Sequence, residues 1–262
     1  MPLIIYDIDG TLTHVHGDIQ DTSGCDTYAF WPLISYHFSD NEVELRKMVA
    51  DWEKSMITEN DPVGSSYKIM QAGIQTFRAN TNSSSIREYA KQITELFVKH
   101  KIIHQKAISH LENSIRNGAV CLFSTGSYQD GAYGFRDGLV ASGTITQEIA
   151  NQILISGAKV DWENKTLLHA NVRERKIIGL EQALEKPALE IRNCIKAVFA
   201  DDPLVNDRDI LNLAPPNKAF VITTGRNSTQ TIPDRYIRTT WDEIMKIDND
   251  FHDDNRVFPH AR

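Results

Sequence analysis

Asp7 and Asp9 stand two residues apart, behind the apolar run Leu3-Ile4-Ile5-Tyr6 and ahead of Gly10. In extended chain, side chains at alternate positions point the same way, so the two carboxylates converge while Gly10 lets the backbone turn beside them. Carboxylates that close repel, and both stay ionised only beside a cation or hydrogen-bond donors; hard oxygen ligands favour Mg2+. A calcium loop is excluded, because Thr11, Leu12 and Thr13 follow and no carboxylate appears before Asp18. For this motif alone, an ordinary surface turn is the competing reading.

Two later segments have the same form. Ala119 to Phe123 is an apolar run ending in Ser124-Thr125-Gly126-Ser127, and Ile195 to Ala200 is one ending in Asp201-Asp202 with Asp207 beyond. Continuous apolar runs of this length read as strands covered on both faces. Open α/β sheets place ligands at the carboxyl edge of such strands. Three strand ends carrying acids, hydroxyls and acids again describe a magnesium-phosphate site.

The elements that must position these groups alternate. A polar stretch from His14 to about Ser39 reads as a loop. A helix follows from Asp40, with Val43, Met48, Val49, Trp52 and Met56 at helical spacing. A second helix spans Val63 to Phe77, and a third carries Ile86, Tyr89, Ile93, Leu96 and Phe97 behind the Asn80 to Ser85 cap. The pattern continues through Ile103, Ala107, Leu111 and Ile115 with a break. Lys159 to His169 reads as a hairpin, Arg173 to Leu184 as a helix and Ala219 to Thr223 as a further strand. The expected fold is α/β, a doubly wound, mostly parallel Rossmann-like sheet with an inserted helical unit. Residues 1–13 and 116–262 would form the core and 14–115 the insertion.

Composition restricts the partners. Thirty-five acidic residues against 28 basic give a net charge of -7, which argues against nucleic acid or an anionic membrane surface as the main partner. No apolar run approaches the ~20 residues of a membrane helix, and no signal peptide opens the chain. Cys25, Cys121 and Cys194 have no metal-ligand spacing, two of them lying in apolar strand-like runs. They read as the reduced thiols of a cytoplasmic protein. Oligomeric state is not legible.

With Asp7-x-Asp9-Gly10-Thr11, strand-terminal Ser124, a lysine and the acidic cluster in this order, the chain resembles the haloacid dehalogenase superfamily of phosphohydrolases. The resemblance implies that Asp7 is the nucleophile, forming an aspartyl-phosphate, and that Asp9 is the general acid and base. Ser124 would bind a phosphoryl oxygen. Mg2+ would sit between Asp7, the Asp9 carbonyl and the third acidic motif, where Asp202 is the first choice of ligand, Asp201 nearly equal, and Asp207 follows. The family's lysine is assigned to Lys176, with Lys159 and Lys165 as rivals. Glycine commonly precedes the first aspartate of that last motif, with the second four positions on. Here Asp201 precedes, and Asp202 and Asp207 are five apart.

An insertion behind the first motif resembles the helical cap of the phosphoserine phosphatase-like branch. It implies a small phosphorylated metabolite, with specificity between His14 and Ile115 and in the loop after Ser127. His14, His16, Arg78 and Arg87 are candidate substrate contacts. Phe30, Trp31 and Tyr36 are cap core or pocket wall. His100 and His104 would share a helical face at metal-ligand spacing, though a wetted surface fits them better. A phosphotransferase, a receiver-like phosphorylation switch and a ligand-binding relative remain as alternatives. The segment Asp248 to Arg262 is expected to be a poorly ordered end.

Overall fold

A computed structural model describes residues 1–20, 22–55 and 62–251. Strand β1 is Leu3–Tyr6. Five helices follow: α1 (Phe30–Phe38), α2 (Glu42–Ser55), α3 (Pro62–Gln75), α4 (Ser83–Lys99) and α5 (Gln105–Arg116). Then come β2 (Val120–Tyr128), α6 (Gln129–Ala141), α7 (Gln147–Ala150), β3 (Ile153–Asp161), β4 (Thr166–His169), α8 (Arg175–Leu184) and α9 (Ala188–Cys194). The chain continues through β5 (Ile195–Ala200), α10 (Arg208–Leu213), β6 (Ala219–Ile222), β7 (Ile237–Thr239) and α11 (Trp241–Phe251).

The seven strands form one sheet in the order β4-β3-β2-β1-β5-β6-β7. All neighbours are parallel except β3 and β4. Every residue of β1 is buried, as a central strand covered on both faces requires. From β1 the chain winds outward through β2 and β3, then returns to add β5, β6 and β7 on the other side. The carboxyl ends of β1 and β5 therefore flank the point where strand order reverses, the usual place for a ligand in such sheets.

Several elements differ from the sequence expectation. The stretch to Ser39 contains α1, whose Pro32 is its third residue; the amide that proline lacks is one that a first helical turn leaves unbonded anyway. Strand β2 runs on to Tyr128 and α6 begins at once, so no loop follows Ser127. Cys194 ends helix α9 rather than lying in a strand, whereas Cys121 is buried in β2. In α2, Val49 is buried but Val43 is exposed; Met56 and residues 252–262 lie outside the described residues. Asp248 to Phe251 belong to α11. That helix starts with Trp241, whose Nε1 donates to the Thr11 carbonyl at 2.8 Å.

Helix α4 packs along α6, and α5 packs on β2 and α11. Gly134 and Gly138 of α6 make the first of these contacts possible. A Cβ on Gly134 would lie 2.3 Å from the Arg87 carbonyl oxygen, and one on Gly138 2.5 Å from Thr94 Cβ. Helix α2 packs on both α1 and α3, while α1 meets β2 and α3 meets β4. No helix among the described residues is long and apolar enough to cross a membrane.

Candidate active site

Asp7 follows β1 directly, and its N–H donates to the Phe199 carbonyl at 2.9 Å, so it extends the β1–β5 pairing by one step. Gly10 then turns back with φ +79°. A Cβ there would lie 2.3 Å from Asp201 Oδ2, so glycine serves both the left-handed backbone and the approach of β1's loop to β5's. Thr13 Oγ1 closes the turn by accepting the Gly10 N–H at 3.1 Å.

Lys176 lies in the first turn of α8 and is 1% exposed. Its Nζ donates to Asp7 Oδ1 at 2.8 Å, to Asp207 Oδ1 at 2.5 Å and to the Ser124 carbonyl at 3.2 Å. Burial alone would lower its pKa, but Asp207 and Asp7 outweigh burial and raise it. The rival lysines are spent elsewhere: Lys159 donates to Gln182 at 2.6 Å, and Lys165 to the Phe77 carbonyl.

Carboxylate oxygens of Asp7, Asp201 and Asp207 all lie within 4.8 Å of one another, and all three residues are buried. Burial drives every member upward in pKa. Asp7 is raised well above the ordinary carboxylate value by burial and then Asp207, against the pull of Lys176. Asp207 is raised by burial despite Lys176. Asp201 is pushed to about 7 by burial, although Arg226 opposes it. Arg226 Nη2 donates to Asp201 Oδ2 at 2.5 Å, and Asp201's charge raises the guanidinium's pKa.

Asp202 is placed differently from the other acids. Its two oxygens accept the N–H groups of Val205 (3.2 Å) and Asn206 (3.1 Å), and its own N–H donates to Asp207 Oδ2 at 3.3 Å. The side chain is thus engaged in shaping the loop that carries Asp207, and it is Asp201 whose carboxylate lies with those of Asp7 and Asp207. Asp9 Oδ1 accepts the Phe30 N–H at 3.0 Å. Burial pushes its pKa to about 6, with the Phe30 bond acting in the opposite sense.

Asp7, Asp9, Lys176, Asp201, Asp202 and Asp207 line one cleft of about 150 Å³, together with Arg226, Asn206, Gly126 and Ser127. Ser124 does not line it: its hydroxyl is fully buried without a hydrogen-bond partner. Ser127, 2% exposed, does line it and also has no partner for its hydroxyl. Arg226 was illegible in sequence because it sits in the turn after β6, outside any acidic motif. Only the strand ending at Ile222 could have pointed to it.

The histidine and arginine candidates fall outside the cleft. His14 packs against His104, ring centroids 3.7 Å apart, and His16 against Tyr28. His100 caps the end of α4 and His104 precedes α5, so the two do not share a helix. Arg78 donates to the carbonyls of His37 and Phe38, and Arg87 pairs with Asp137. Phe30, Trp31 and Tyr36 all belong to α1; Phe30 is core and Trp31 lines the cleft.

The oxygen-only donor set fits a hard divalent cation. Asp7, Asp9, Asp201 and Asp207 face just Lys176 and Arg226 among the cleft's described cations, an excess of acidic over basic groups that a bound divalent cation would offset.

No family model and no curated protein matches the sequence. Solved structures do match. Cytosolic 5'-nucleotidase IIIB bound to cytidine superposes with a TM-score of 0.63 at 11% identity, over 95% of this chain and 83% of that one. A Bordetella pertussis Tohama I protein of unknown function gives 0.55 at 12% identity, over 92% and 98%. Phosphoserine phosphatase from T. onnurineus gives 0.52 at 13% identity, over 97% and 96%. The chain shares its fold with these solved structures.

Proposed function

We propose that the chain is a Mg2+-dependent hydrolase of a small phosphorylated metabolite, acting through an aspartyl-phosphate on Asp7. The observation that carries this reading is the buried Lys176 ammonium held between Asp7 and Asp207. It fixes one Asp7 oxygen and leaves the carboxylate otherwise free to face the cleft.

Asp7 attacks phosphorus, forming an O–P bond as the ester oxygen departs. Asp9 gives that oxygen its proton, then takes one from the water that cleaves the acyl phosphate. Ser127, rather than Ser124, donates to a phosphoryl oxygen, because of the two serines it alone lines the cleft and its hydroxyl has no partner among the described residues of the protein. Asp7, Asp201, Asp207 and the Asp9 carbonyl would hold the metal, which would supply charge screening between carboxylate and phosphate. Residues 1–13 and the described part of 116–262 make up the catalytic core in this reading. Within the 14–115 insertion, α1 and α3 are the part that covers the cleft. Three unpaired cysteines support a cytoplasmic setting.

The test is phosphate release from a panel of phosphomonoesters with and without Mg2+, beside Asp7→Asn. Metal-dependent release that vanishes in the variant supports the reading. Equal release by both proteins removes Asp7 as nucleophile. Faster transfer to an added alcohol than to water would identify a phosphotransferase.

A further inference from the structure

The floor and roof of the cleft differ in chemistry. Both described cations that line it are on the floor and already face carboxylates, Lys176 with Asp7 and Asp207, Arg226 with Asp201. The roof comes from α1 and α3. Trp31 and Pro32 project from α1, while Ser66, Ile69 and Met70 stand at helical spacing on one face of α3. No described lysine or arginine joins them. Arg78 and Arg87, the two arginines from which a substrate carboxylate might have been bound, are engaged outside the cleft.

The roof is also held in position. The other side of α3 is tied to the β3–β4 hairpin: Tyr67 Oη donates to the Leu167 carbonyl at 3.0 Å, and Gln71 pairs with Lys165 and Leu167 at 2.9 and 2.8 Å. Gln75 adds a 2.8 Å bond to the Lys165 carbonyl. On α1, Trp31 Nε1 donates to Tyr128 Oη at 3.1 Å, and Ser35 Oγ lies 3.0 Å from the same oxygen. An anionic group driven against this wall would lose water and find no counter-charge, a penalty that an uncharged group avoids.

Resting on the hydrolase reading above, we infer that the substrate's leaving group is uncharged and presents an apolar face, as an aryl or nucleoside group does, and that carboxylated phosphoesters are disfavoured. Trp31, Ile69 and Met70 are the residues that set this preference.

The experiment compares kcat/KM for phenyl phosphate, cytidine 5'-monophosphate, O-phosphoserine and 2-phosphoglycolate with saturating Mg2+. We expect at least one of the first two to exceed both carboxylated esters by about tenfold or more, the discrimination one apolar contact supplies. Which of the two leads distinguishes an aryl from a nucleoside group. Met70→Lys should move the ratio of O-phosphoserine to phenyl phosphate about tenfold toward phosphoserine. Should that variant fail to fold, Ile69→Ala should lower kcat/KM for phenyl phosphate several-fold more than for 2-phosphoglycolate, and an equal loss for both would overturn the inference. Equal or better use of O-phosphoserine or 2-phosphoglycolate by the native protein overturns the inference. Calorimetry with phenylphosphonate and with the phosphonate analogue of phosphoserine, on the Asp7→Asn protein, reads the preference without turnover. Tighter phenylphosphonate binding supports the roof's role even if no ester is hydrolysed, an outcome that would overturn only the hydrolase.

Discussion

Phe30 donates its backbone N–H to Asp9 Oδ1 at 3.0 Å, so the first residue of α1 is fastened to the second carboxylate of the Asp7-x-Asp9 loop. One side chain thereby joins the reacting end of the cleft to its roof. The two functions separate by substitution. Asp9→Asn keeps an oxygen that can accept the Phe30 N–H but cannot deliver a proton, so kcat should fall by about 10²–10⁴ with KM little changed. Asp9→Ala loses the tie as well and should also raise KM. Steady-state kinetics on both variants checks this; the same KM in both would show that the tie does not position the roof.

Ser127 and Ser124 offer a second separation. Both hydroxyls are buried and unpaired, but only Ser127 lines the cleft. Ser127→Ala should lower kcat/KM by about 10- to 100-fold, the range of one lost hydrogen bond to a charged oxygen. Ser124→Ala should stay within about threefold of native. The reverse order of effects would return the phosphoryl contact to Ser124.

Much of this arrangement was legible because it sits at strand ends. Apolar runs at Leu3, Ala119 and Ile195 mark buried strands, and whatever follows such a strand arrives at the same sheet edge, so Asp7, Asp201 and Asp207 could be placed together without knowing their distances. Lys176 was legible only as the opening of an amphipathic helix. What the sequence hid has two physical causes. Pro32 and the glycines of α6 resemble helix breakers, yet Pro32 occupies a first turn and Gly134 and Gly138 serve close contact with α4, properties of tertiary packing that local propensity does not carry. The choice between Asp201 and Asp202 depends on which carboxylate bonds its own loop's amides. Arg226 lacks any local signature, since only the pairing of β5 with β6 brings it to Asp201.

Lys176 is the one buried cation held between two buried carboxylates among the described residues, and its removal should cost stability as well as activity. Lys176→Met leaves Asp7 and Asp207 facing each other without compensation. Loss of one partner from a buried pair typically costs about 3–5 kcal/mol, and we expect a destabilisation of that order in urea denaturation monitored by circular dichroism. Adding Asp207→Asn to Lys176→Met should recover part of it by removing one unpaired charge. A single variant as stable as the native protein would mean that the carboxylates are held neutral in the fold. In that case the ion pair has little part in the architecture.

His104 should give the fold a separate acid sensitivity. Its ring packs on His14 with centroids 3.7 Å apart, and Asp18, Asp242 and Lys106 are the charged groups nearby, Lys106 being paired with Asp242. Burial first, and His14 second, push the His104 pKa to about 3, against the weaker pull of Asp242. His104 is therefore neutral in the folded chain, while in the unfolded chain it titrates near the ordinary value of about 6.5. Between those values the unfolded state binds the extra proton, so stability is full above about pH 6.5 and falls as pH drops toward about 3. The loss between pH 7 and pH 4.5 should be roughly 2 kcal/mol. The raised carboxylates of the cleft work in the opposite sense, so the comparison must be differential: urea midpoints for the native protein and His104→Phe across that range. The native protein should lose more stability on acidification than the variant. Parallel curves would show that His104 is free to protonate in the fold.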